Sequence, residues 1–121
     1  MSKPIDDVFE FTTNPKNTPL WVPSIQEEIS DAYPPKIGTV YKNRGKGSDW
    51  VVYTVVEYKK NKVFALSDDN YGVRYSYRKI HDTETEMVYV EWMKDGQLKK
   101  PFTRAILRKL KSVVERRRGG R

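Results

Sequence analysis

Between Ile25 and Met93 no connection is long enough to hold a crossover helix, and this limits how the strands there can be joined. The runs Ile25–Tyr33, Gly38–Arg44, Trp50–Lys59, Lys62–Ser67, Gly72–Ile80 and Glu86–Met93 read as strands. Between them stand Pro34-Pro35, Gly45-Lys46-Gly47, Asn61, Asp68-Asp69-Asn70 and His81-Asp82-Thr83, residue types that break strands and form turns. Parallel neighbours need a connection of a dozen or more residues, so these gaps predict consecutive antiparallel hairpins. Val, Tyr, Trp and Thr dominate several of the strands, as a pleated, half-buried surface requires.

Such a sheet must cover one of its faces. After the last strand Asp95-Gly96 turns the chain, and Pro101 opens a helix. At about 100° per residue, Phe102, Ile106, Leu107, Leu110, Val113 and Val114 share one arc, while Arg104, Arg108, Lys109, Lys111, Glu115 and Arg116 fill the rest. Burying each of those apolar side chains contributes roughly 1.5–3 kcal/mol, an upper figure because the unfolded chain is already partly collapsed. Only the sheet is large enough to receive them.

Ahead of the strands, residues 4–12 read as a short helix. Pro4 suits the first helical position, Asp6 and Asp7 lie near the positive end of the helix dipole, and Ile5, Val8, Phe9 and Thr12 share a face. Asn14-Pro15 then repeats a helix-start signal for a second short turn, ended by Pro19, with Leu20-Trp21-Val22 as an apolar plug.

The 121 residues suit one domain, expected over 1–115 with a basic disordered tail at 116–121. At 37% hydrophobic and 12% aromatic the chain is too apolar for a disordered one. No apolar run spans a bilayer and no signal core opens the chain, so a cytoplasmic location is expected. With no Cys there are no disulfides, thiolate nucleophiles or Cys-based metal sites, and neither metal nor cofactor is expected. The net charge of +7 is a local property. Lys99–Arg121 holds ten of the 23 Lys and Arg against one acid, and residues 1–98 carry a net −2.

The order of elements, together with local residues, resembles the START-like superfamily. Val8-Phe9-Glu10-Phe11 and Asn14-Pro15-Lys16-Asn17-Thr18-Pro19-Leu20-Trp21-Val22-Pro23 look like the entry segment of its polyketide cyclase/dehydrase-like members. Ile37-Gly38-Thr39-Val40-Tyr41 resembles the opening of their next strand, Val55–Tyr58 with Lys62–Leu66 their following hairpin, and Phe102–Glu115 their closing helix. The resemblance covers nearly the whole chain. It implies an α+β helix-grip fold, with a curved antiparallel sheet around the C-terminal helix and a small hydrophobic ligand, lipid or polyketide-like, held between them. Family members begin with a strand before the first helix, whereas here only Met1-Ser2-Lys3 precede Pro4. An absent first strand would leave a sheet edge open, and pairing with a second copy through it is then expected.

Period-2 spacing places Tyr71, Val73, Tyr75 and Tyr77 on one face and Arg74, Ser76 and Arg78 on the other, with Tyr53 and Tyr89 on neighbouring strands able to join the first set. Rings with hydroxyl tips suit a pocket that is apolar yet orients a polar group, and equally suit cross-strand packing. The expected walls are Trp21, Tyr53, Tyr75, Tyr77, Tyr89, Phe102 and Ile106. Trp21 either caps the cavity, as the resemblance implies, or plugs the junction between small helices and sheet. Glu91 shares a face with Tyr89 and is the one candidate acid or base for a cyclase/dehydratase-type enzyme on this fold, against an ordinary role as a solvated residue near a strand end. His81 lies by a turn and reads as a surface residue, since a lone His makes no zinc site. Gly45-Lys46-Gly47-Ser48 lacks the following helix of a phosphate loop and reads as a turn. The basic tail raises polyanion or anionic-membrane binding, but basic residues also suit a helix C-terminus, and the helix already commits its apolar face to the sheet.

Overall fold

A computed structural model describes residues 1–94 and 104–116. The chain opens with helix α1 (Ile5–Thr13) and a 3-10 helix (Pro15–Leu20). The strands β1 (Glu27–Ser30), β2 (Val40–Arg44), β3 (Val51–Lys59), β4 (Val63–Ser67), β5 (Tyr71–His81) and β6 (Glu84–Met93) follow, and helix α2 (Arg104–Arg116) closes the chain. The strands form one sheet in sequential order, every neighbour antiparallel, as the short connections require.

Pro4 stands one position before α1 rather than inside it, and its carbonyl accepts from the Asp7 and Val8 amides at 3.0 and 3.1 Å. Asn14 caps the 3-10 helix, its side chain accepting from the Lys16 amide at 3.1 Å. β1 is shorter than its pattern: the Asp31 amide still donates to the Val40 carbonyl at 3.1 Å, but the Val40 amide turns to the Asp31 carboxylate at 3.0 Å. β5 and β6 run closer to their turn than expected, with His81 paired to Glu84 across it. Asn61, in the left-handed region at φ 62°, turns β3 into β4 and donates to Asp6 at 2.6 Å, tying that hairpin to α1.

The core lies on the inner face of the sheet. Val8, Phe9 and Phe11 of α1 meet Tyr41, Val55, Phe64, Leu66, Tyr75 and Tyr77, and α2 adds Leu110 and Val114, both buried. Ile106 and Val113 pack half-buried against this cluster, while Arg104, Arg108, Lys109, Lys111 and Arg116 are exposed. The amphipathic reading of α2 holds for its described residues; Phe102, with the rest of 95–103, and 117–121 lie outside them.

Residues 1–3 run between β6 and α2. Met1 and Thr85 exchange backbone hydrogen bonds at 2.6 and 2.8 Å, Thr85 Oγ1 donates to the Lys3 carbonyl at 2.8 Å, and the Ser2 amide donates to Glu115 Oε2 of α2 at 2.7 Å. Beyond that point β6 is an edge strand among the described residues.

Candidate functional site

Among the described residues the inner face of the sheet does not fill completely. A cavity of about 560 Å³ remains over the strands, towards the end where β1 and the β2–β3 hairpin meet the 3-10 helix. That volume falls within the range of roughly 300–1,000 Å³ usual for small-molecule sites. Its apolar floor comes from Phe64 and Leu66 of β4 and Val73 of β5. Tyr53, Tyr71, Tyr75 and Tyr89 stand around that floor, and Ser24, Gly45, Ser48 and Asp49 lie at the loop side. Among the described residues, the cavity wall takes α1, the 3-10 helix and the strands but no residue of α2.

Alternation on β5 delivers the tyrosines. Tyr75 packs edge-on against Tyr89 with centroids 5.0 Å apart, and Tyr53 meets Tyr71 at 6.3 Å. On β3 the register shifts between Val55 and Glu57, so Tyr53 and Val55 point inward, Glu57 pairs outward with Arg74 at 2.9 Å, and Tyr58 returns to the core. Gly45 permits the close approach of the β2–β3 hairpin to the chain before β1, since a Cβ there would lie 2.7 Å from the Ser24 carbonyl.

Of the residues expected from sequence, Tyr53, Tyr75 and Tyr89 line the cavity together. Trp21 is 1% exposed and sits in the core, its ring edge-on to Tyr75 at 6.4 Å, so it backs a wall residue instead of forming the wall. Tyr77 is also buried in the core, against Phe9 at 4.9 Å, and its hydroxyl is 2.6 Å from that of Thr12. Ile106 packs against the core without reaching the cavity, and Phe102 lies outside the described residues. Glu91 shares the inner side of β6 with Tyr89 and accepts a 2.5 Å hydrogen bond from the Tyr71 hydroxyl. His81 is exposed and paired with Glu84 at 3.0 Å.

Sequence reasoning passed over Glu28. It lies deep in the protein yet keeps accessible surface, because it stands on the cavity wall. Oε1 accepts from Thr18 Oγ1 at 2.6 Å and Oε2 from Asn43 Nδ2 at 3.0 Å. Burial raises its pKa above the ordinary 4.5, and the two hydrogen bonds only partly offset that. Burial likewise lifts Tyr75 and Tyr89 well above the usual tyrosine range, neighbouring tyrosines adding to the effect. Their hydroxyls are therefore protonated at neutral pH and able to donate. No group of acidic or His side chains able to hold a metal occurs among the described residues.

No family model and no curated protein matches the chain. Solved structures do. A conserved protein of unknown function from Enterococcus faecalis superposes with a TM-score of 0.73 at 14% identity, over 94% of this chain and 66% of its own. The chain thus spans about two thirds of that protein's length. A protein from Staphylococcus saprophyticus gives 0.56 at 14% identity, over 95% of this chain and 76% of its own. Ara h 8.0201 gives 0.62 at 14% identity, over 94% of this chain and 91% of its own. The fold is the helix-grip fold. At these identities the helix-grip likeness concerns architecture alone. Within that architecture, no described helix is long and apolar enough to cross a membrane.

Proposed function

We propose that this protein binds a small hydrophobic molecule, lipid or polyketide-like in size and polarity, in the cavity over the inner face of the sheet. The observation that carries the reading is the cavity of about 560 Å³ in a chain of only 121 residues, walled by four tyrosines over an apolar floor. Leaving apolar side chains around a void forgoes packing contacts that would stabilise the fold. A bound apolar molecule restores those contacts. Native mass spectrometry of freshly purified protein tests this: a co-purified small molecule in a one-to-one complex supports it, and bare chain that also fails to take up added apolar probes rejects it.

A second reading is favoured by one contact. Glu91 and Tyr71, joined at 2.5 Å on the inner side of the sheet, form a polar pair of the kind a cyclase or dehydratase needs for proton transfer. Turnover of a polyketide-like substrate that survives Glu91→Gln rejects this assignment. The free backbone edge of β6, an edge strand among the described residues, is where a second copy would pair. A monomeric mass by light scattering at high concentration counts against that dimer.

A further inference from the structure

We infer that the cavity selects apolar molecules carrying a protonated amine, with Glu28 as the group that receives it. The inference rests on the cavity-binding reading and adds the chemistry of the ligand's polar end. Glu28 is a carboxyl built into the wall: β1 carries it, its register opposite Asn43 of β2 turns it inward, and Thr18 of the 3-10 helix holds its other oxygen. Each oxygen accepts one described hydrogen bond, and a carboxylate oxygen takes two, so both retain acceptor capacity on the cavity side.

Acids outnumber bases on the described cavity wall, Glu28 and Asp49 against Arg44. Among the described residues no Lys or Arg forms an ion pair with Glu28. The cation at the cavity wall, Arg44, is already engaged, with its guanidinium 2.9 Å from Glu27 and 4.7 Å over the Trp50 ring. Asp49 adds a second acid to the wall. A ligand carboxylate entering here meets like charge and a low-dielectric surround, whereas an ammonium meets a carboxylate that burial has left short of compensation. The tyrosine rings add attraction of the same sign, because an aromatic face favours a cation. Tyr53 and Tyr75 line the same cavity as Glu28. The result is an acid-walled cavity in a chain whose net charge is +7.

Displacement of the neutral fluorophore N-phenyl-1-naphthylamine by decylamine, decanol and decanoate at pH 7 tests the inference on the intact chain. Wild-type protein should release the fluorophore at a roughly tenfold lower concentration of decylamine than of decanoate, the value of one charge-assisted hydrogen bond, with decanol between them. Glu28→Gln, checked for folding by thermal unfolding, should bring the three compounds to within about threefold of one another. Equal displacement by amine and carboxylate, or a preference that survives Glu28→Gln, overturns the inference and leaves Glu28 a latch between the 3-10 helix and β2. If the variant does not fold, the wild-type order of displacement decides alone. A wild-type protein that never binds the fluorophore removes the cavity reading itself, and this inference with it.

Discussion

Thr18 donates its hydroxyl to Glu28 Oε1 at 2.6 Å, joining the 3-10 helix to the edge strand β1 across one side of the cavity. The contact turns a surface-looking segment, Glu27-Glu28-Ile29-Ser30, into a wall with one face inside the protein.

That burial makes stability depend on pH in a definite direction. The folded-state pKa of Glu28 lies above its ordinary value of 4.5, so the folded chain holds the proton more tightly than the unfolded one. Its contribution is therefore fully present below the unfolded pKa and is lost as pH rises through the folded one. Glu28→Gln removes this dependence. The melting temperature of the variant relative to wild type should rise as pH increases from 4.5, then level off. A difference that stays constant with pH contradicts the assignment.

Tyr75 and Tyr77 neighbour each other on one face but should behave differently. Tyr75→Ala opens the cavity wall and should weaken binding of an apolar probe. Tyr77→Phe removes the hydroxyl beside Thr12 and should cost about 1 kcal/mol of stability while leaving probe affinity unchanged. Equilibrium unfolding and probe titration on both variants check the contrast.

Gly45→Ala forces a Cβ to within 2.7 Å of the Ser24 carbonyl, a backbone atom that cannot swing aside. The β2–β3 hairpin must then move off the chain before β1, at a cost of about 1–3 kcal/mol. Because Ser24 and Gly45 both line the cavity, probe affinity should fall together with stability.

Leu110 anchors α2 and is fully buried. Leu110→Ala should destabilise by about 2–5 kcal/mol, measured by denaturant unfolding. The exposed Arg104, Arg108, Lys109, Lys111 and Arg116 leave polyanion binding as the rival use of this helix. Phosphate contacts lose affinity steeply as salt rises; a flat salt response of ligand binding is expected here.

Much of this fold was legible because its signals are local. Short connections dictated antiparallel neighbours, alternation on β5 placed Tyr75 and Tyr77 inside, and the arc of Leu110 and Val114 placed α2 on the core. The cavity was less legible, because it depends on register between strands. β1 runs against its own hydropathy: Ile29 is 46% exposed while Glu28 turns inward, since pairing with β2 sets Glu28 opposite Asn43 and Ser30 opposite Tyr41. On β3, Val51, Val52, Val55 and Val56 make both faces apolar, and the shift between Val55 and Glu57 decides that Tyr58 rather than Glu57 turns inward. Trp21 and Tyr77 carry the right chemistry for a wall and sit one layer behind it, a distinction that periodicity does not contain.

If the void beneath Tyr53 and Tyr75 is a binding site, Val73→Trp should close it by placing an indole into that space. Titration with N-phenyl-1-naphthylamine should give one bound probe per wild-type chain, and in the folded variant an affinity at least about tenfold weaker. Equal binding by both proteins, or none by wild type, would show that this void holds no ligand.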